Sequence, residues 1–228
     1  MTSLTIQQIR DAQAAFVKAG GGDDSSLQAK YYARPVSYYI AWLLIRFGVI
    51  ANQTTAAARL ACVAGCMLVL TGHPALIVLG AVLLNVGHLL DYTDGTLAKA
   101  TGTVSKLGMY LDKTCDEIVE TAIPLAVGVA LINTDTIFPV LGAVCAILHL
   151  WSALASAHSK EVYGKSTLRK LSGVLRYPIL VGVNLKALTV PSLLVVAFVP
   201  NGLAVFLIGL TILTTCEFAV SFYTGVRE

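Results

Sequence analysis

Four aspartates carry the clearest chemistry in this chain. Asp91 and Asp94 stand three residues apart, and Asp112 and Asp116 stand four apart. Helical geometry puts each pair on one face. Both pairs lie in apolar surroundings, where an Asp at a helix centre costs about 2.5–3.5 kcal/mol on insertion scales. Two such faces brought together make a pocket of four carboxylates. Left alone, these would repel one another and take up protons. Hard divalent cations relieve the repulsion by accepting carboxylate oxygens. Gly95 and Gly108 remove side chains beside the acids, which opens the backbone to a ligand. Mg²⁺ keeps several non-protein ligands and commonly binds through carboxylates plus substrate phosphates, so a metal-held diphosphate is the natural occupant. The competing reading pairs the acids with Lys99, Lys106 and Lys113 in a solvated loop. Four acids with two flanking glycines weigh against it. Glu117 and Glu120 fall off the Asp112–Asp116 face or deeper, and are expected to bond neighbouring helices.

The composition says what must hold such a pocket. Of 228 residues, 56% are hydrophobic and only 13% are charged, about half the charged share of a soluble domain. This describes an all-α integral membrane protein and excludes a disordered chain. Sixteen Lys and Arg against thirteen Asp and Glu are too evenly balanced to argue for nucleic acid. The five cysteines form neither a disulfide framework nor a zinc pattern. Cys62 and Cys66 read as small packing residues. His73 and His149 read as structural, and His88 as a polar packing residue that could also reach a carboxylate.

Residues 1–53 read as an interfacial segment and 54–228 as a six-helix membrane domain. Leu4, Ile6, Ile9, Ala12, Phe16 and Val17 approximate one face of an amphipathic helix, lying on the membrane or on the protein itself. Residues 35–49, interrupted by Arg46, would extend only about 22 Å and suit a juxtamembrane helix. Six spans follow, at about 54–72, 74–98, 106–132, 136–158, 174–198 and 200–223. Lys186 and Pro191 interrupt the fifth. The connections at 72–74, 132–136 and 198–202 contain no Lys or Arg, whereas the opposite side collects Lys30, Arg34, Lys99, Lys106, Lys160, Lys165, Arg169, Lys170, Arg176 and Arg227. By the positive-inside rule both termini and the basic loops are cytoplasmic. Ala75–Leu90 supplies roughly 24 Å of helix before Asp91. The four acids therefore fall near the cytoplasmic edge, facing one another across a short polar turn.

Written out, Asp91-Tyr-Thr-Asp94-Gly95-Thr-Leu-Ala98-Lys99, eight residues, Gly108, three residues, Asp112, three residues, Asp116 resembles the CDP-alcohol phosphotransferase signature. Seven of its eight fixed positions match at every spacing, with Lys99 where the family has Arg. Ala51-Asn52-Gln53-Thr54-Thr55 resembles an upstream element of the same family, with Ala51 in place of its proline. The resemblance implies a phospholipid-synthesising transferase that displaces CMP from a CDP-linked alcohol, using two divalent ions, Mg²⁺ or Mn²⁺. Asp91, Asp94 and Asp112 would hold one ion, and Asp91, Asp112 and Asp116 the other. Asp116 would also take the proton of the acceptor hydroxyl. Asn52, Thr55, Gly95, Ala98, Lys99, Ser105 and Gly108 match positions lining the cytidine diphosphate pocket. The Lys99 departure keeps the charge and loses the forked donor geometry.

The same resemblance implies a lipid donor, CDP-diacylglycerol or an archaeal-type equivalent, and a homodimer in the cell membrane. Lys160 and Arg176, at the ends of the fourth and fifth spans, match a basic pocket that would receive the phosphate of an acceptor such as inositol phosphate or glycerol phosphate. A CDP-linked polar alcohol passed to a lipid or to a phosphorylated polyol is an alternative. From another class, the acids could line a cation or proton pathway in a transporter. Their clustering at one membrane edge, rather than near the midplane, weighs against that.

Overall fold

The computed structural model describes residues 4–19, 29–163 and 189–226, and all regular structure among them is helical. The order is α1 (Ile6–Lys18), a π-helical turn (Ala29–Ala33), α2 (Arg34–Arg46), α3 (Ala51–Leu70), α4 (Pro74–Thr101), α5 (Lys106–Ala130), α6 (Ile137–Tyr163), α7 (Thr189–Val196) and α8 (Gly202–Val226). The starts and stops have local causes. Thr5 and Gln8 form a reciprocal capping box that opens α1. Pro35 in the first turn suits α2. Gly48 and Gly102 adopt φ of +71° and +69° after α2 and α4, a conformation that ends a helix cheaply only with glycine.

Among the described residues, four helices are long and apolar enough to cross a membrane: α3, α4, Ile137–Ala155 of α6 and Gly202–Ala219 of α8. This is the character of a multi-pass membrane protein. Large apolar side chains stay exposed along single faces, Leu60, Val63 and Met67 on α3 and Val140, Val144, Ile147, Trp151 and Leu154 on α6. Such stripes suit lipid rather than water. The expected third span, α5, is not among the four. Lys106, Asp112, Lys113, Asp116, Glu117 and Glu120 all precede Thr121, and only the stretch around Ile123–Gly128 is buried and apolar. The expected fifth span lies mostly outside the described residues, and α7 is its described end.

The chain divides into two compact units, residues 1–65 with 82–115, and 66–81 with 116–228. In the first, α1 packs on α2 and buries Ile9 completely, so α1 rests on protein along that face. Arg10 stacks over the Tyr38 ring at 5.5 Å, and Arg34 over Tyr92 at 5.4 Å. Buried Ser37 meets buried Thr96 at 3.1 Å, tying α2 to α4. At Gly87 the α4 backbone lies close against α3. A Cβ there would stand 2.5 Å from Cys62 Sγ and 2.8 Å from the Ala58 carbonyl oxygen.

In the second unit, small residues again set helix separation. A Cβ on Gly142 of α6 would fall 2.5 Å from the Pro124 carbonyl oxygen of α5. Cys145 Sγ on α6 meets Thr214 Oγ1 on α8 at 3.5 Å, both buried.

Gly87→Ala therefore tests the α3–α4 register directly. The Ala58 carbonyl is main chain and cannot swing aside, so the variant should lose about 1–3 kcal/mol of stability, the usual cost of overpacking. Thermal unfolding of the detergent-purified chain reads this; an unchanged midpoint would mean that the two helices are not in close contact there.

Candidate metal and nucleotide site

Helix α4 does not stop at its acids. Its 28 residues would run about 42 Å, well past a hydrocarbon core of about 30 Å. Asp91 and Asp94 thus sit in the last third of an unbroken helix, and the polar turn comes later, at 102–105. Asp94 is buried, 5% exposed, and its Oδ2 is enclosed with no hydrogen-bond partner among the described residues. Thr55 on α3 and the main-chain N–H of Gly95 stand beside its carboxyl group.

Asp91 and Asp112 offer carboxylate oxygens within 4.8 Å of each other, so α4 and α5 do bring together two of the sequence-predicted ligands. Between them lies a residue the sequence reasoning passed over. Arg59 Nη2 contacts Asp91 Oδ1 at 2.5 Å and Asp112 Oδ1 at 2.8 Å, with a further bond to the Asp112 main-chain oxygen at 3.3 Å. The signal was present in the sequence. Arg59 is the lone charged residue of α3, and a cation inside an apolar span demands an acid nearby. Thr55 and Arg59 are four residues apart, on one face of α3, which links this cation to the Asn52–Thr55 element.

Asp116 follows Asp112 by one turn of α5. Lys99 lies along α4 with its Nζ 3.9 Å from where a Gly95 Cβ would be, and its ammonium is 5.0 Å from the Phe16 ring centroid. A Cβ at Gly95 would make only an ordinary contact with the lysine. Ala98 is half-buried beside it, and Asn52 is exposed near the start of α3. Ser105 caps α5, its Oγ accepting the Gly108 N–H at 3.0 Å. The two predicted pocket residues Ser105 and Gly108 are therefore coupled through a helix cap, a role the motif spacing did not reveal. Lys160 lies on α6 with its side chain outside the described residues, and Arg176 is outside them altogether.

Glu117 and Glu120 behave as expected from their face. Buried His149 of α6 reaches both, its Nε2 lying 3.1 Å from Glu117 Oε2 and 3.4 Å from Glu120 Oε2. His88 contacts Tyr92 edge-on at 5.2 Å, a packing role.

The CDP-alcohol phosphatidyltransferase profile matches residues 48–217. The chain belongs to the CDP-alcohol phosphatidyltransferase family. Among curated relatives, archaetidylinositol phosphate synthase of Pyrococcus horikoshii is 40% identical over 62 residues, 27% of this chain and 33% of that protein. Phosphatidylinositol phosphate synthase of Corynebacterium glutamicum is 36% identical over 85 residues, 37% of each chain. The matched segments thus span about a third of those relatives' length. Two structures of Mycobacterium tuberculosis phosphatidylinositol phosphate synthase share the fold. The complex with manganese and citrate has a TM-score of 0.64 at 21% identity, covering 83% of this chain and 88% of that one. The form with CDP-DAG bound gives 0.63 at 22%, covering 85% and 94%.

The cap at Ser105 gives a test that separates structure from ligand contact. Ser105→Ala should cost about 0.5–2 kcal/mol of stability, and Ser105→Asp, also a good cap, should restore it. A direct contact with a nucleotide diphosphate would behave otherwise, since an added carboxylate would repel the ligand. Unfolding midpoints measured beside CDP affinity distinguish the two.

Proposed function

We propose that this family member is a membrane transferase that displaces CMP from a CDP-linked lipid and joins the phosphatidyl group, or its archaeal counterpart, to a phosphorylated polyol of the inositol phosphate type. The observation that carries the reading is the complete aspartate set at family spacing, with Asp91 and Asp112 converging from two helices. The donor set fits Mg²⁺ or Mn²⁺, because every candidate ligand is a hard carboxylate oxygen and Asp94 Oδ2 is buried without a partner among the described residues. Asp91, Asp94 and Asp112 would hold one ion, and Asp91, Asp112 and Asp116 a second. Bound there, the ions supply charge neutralisation for a diphosphate. Lys99 holds the same group as a point charge, while Asn52, Thr55, Gly95, Ala98, Ser105 and Gly108 line its site.

Asp116 accepts the proton of the acceptor hydroxyl. That oxygen bonds to the lipid-bearing β-phosphorus, the bond from this phosphorus to the bridging oxygen breaks, and CMP leaves with the bridging oxygen. Lys160 and Arg176 receive the acceptor's phosphate, and both curated relatives are inositol phosphate synthases by name. Six helices span the membrane behind an interfacial segment of residues 1–53 containing amphipathic α1. The protein works as a homodimer in the cell membrane, with both termini and the active site cytoplasmic.

Three measurements test this. Purified protein with CDP-diacylglycerol and Mn²⁺ should release CMP with inositol phosphate and not with serine, and EDTA should stop it. Asp112→Asn should reduce turnover by at least two orders of magnitude at saturating Mn²⁺, since the amide keeps the shape and loses the charge that holds a hard cation; near-native turnover would end the assignment. Lys99→Ala should raise KM for the CDP-lipid with a smaller effect on kcat, and Lys99→Arg should not.

A further inference from the structure

Arg59 has no part in the mechanism just described, yet it sits where that mechanism needs its ions. A single nitrogen, Nη2, contacts Oδ1 of both Asp91 and Asp112. An ion joining those two carboxylates would take the same oxygens at about 2.0–2.6 Å. The guanidinium nitrogen, 2.5 and 2.8 Å from them, fills that space. Guanidinium and ion cannot both have it. Arg59 and Asp91 are each only 16% exposed, so leaving either charge unpaired is strongly unfavourable.

We propose that Arg59 is the resident counter-cation of the aspartate site: it holds Asp91 and Asp112 together in the ion-free protein, competes with divalent ions for them, and on displacement pairs with the diphosphate of the bound nucleotide. This rests on the metal-site reading given above. The electrostatics demand the second half of the proposal. A guanidinium expelled from two carboxylates needs another anion, and a diphosphate offers paired oxygens that match its fork. Ion and nucleotide loading are thereby coupled. The ion alone must strand Arg59, whereas a nucleoside diphosphate entering with the ion gives Arg59 a new partner.

The test is Mn²⁺ binding to the full chain in detergent, followed by the EPR signal of free Mn²⁺, with and without CDP, in native protein and in Arg59→Met. Native protein should bind Mn²⁺ weakly alone and about tenfold more tightly with CDP, a coupling of ordinary size. Arg59→Met should bind Mn²⁺ alone about tenfold more tightly than native protein, and should lose most of the enhancement by CDP. Its unfolding midpoint should fall without Mn²⁺ and recover with it. Should the methionine variant fail to fold, Arg59→Lys, which keeps the charge and loses the fork, should weaken the CDP enhancement while folding normally. Equal or weaker Mn²⁺ binding by Arg59→Met, or an undiminished CDP effect in either variant, would overturn the role given to Arg59 and leave the metal site standing. No Mn²⁺ binding by any form, with or without CDP, would remove the metal site and this inference together.

Discussion

Burying charge in an apolar bundle is the constraint on which the rest of this structure depends. Arg59 sits inside α3, and Asp91 and Asp94 sit inside α4, both helices apolar enough to cross a membrane. None of these groups is tolerable there singly. The solution is convergence. Arg59 Nη2 engages α4 and α5 at once, and the helices approach closely enough because Gly87 has no side chain between Ala58 and Cys62. Gly87 lies one turn before Asp91, and Ala58 directly precedes Arg59. The close approach and the ion pair are two consequences of one register. The register is set by a missing methyl group, and the charges are made bearable by it.

Two acidic clusters meet this constraint in different ways. At Glu117 and Glu120 the partner is buried His149, facing both carboxylates from α6. That contact joins α5 to α6 within one unit. At Asp91, Asp94 and Asp112 the protein supplies fewer cations than acids. Arg59 bridges two carboxylates, and Lys99 lies along Gly95 towards Phe16. Asp94 Oδ2 stays enclosed without a hydrogen bond among the described residues. A site short of positive charge is one that can accept a cation with its phosphate-bearing ligand.

Much of this was legible in the sequence, because motif spacing and helical periodicity are local properties. The aspartate spacing placed Asp91 and Asp112 on faces that do meet, and turn residues located α4, α5, α6 and α8 to within a few residues. What the sequence did not yield depends on contacts between helices. Arg59 was overlooked because the basic residues were read for membrane sidedness, which draws attention to span ends rather than to a cation within a span. Ser105 was assigned to a ligand pocket by motif position, while its cap on Gly108 is a backbone role shared by helices of every function. Lys160 and Arg176 rest on sequence alone.

The substitution at position 99 and the guanidinium at position 59 bear on each other. Where the family signature has arginine, this chain has Lys99, a compact charge on a flexible stem that cannot bind a phosphate through two parallel bonds. Lys99 lies along Gly95 with its ammonium over the Phe16 ring. The forked donor is instead found one helix away, on α3, already desolvated and already oriented by Asp91 and Asp112. Those two acids fix where the guanidinium waits. On the displacement proposed above, a diphosphate entering with a divalent ion would meet that guanidinium, and Arg59 would supply the forked geometry that Lys99 lacks.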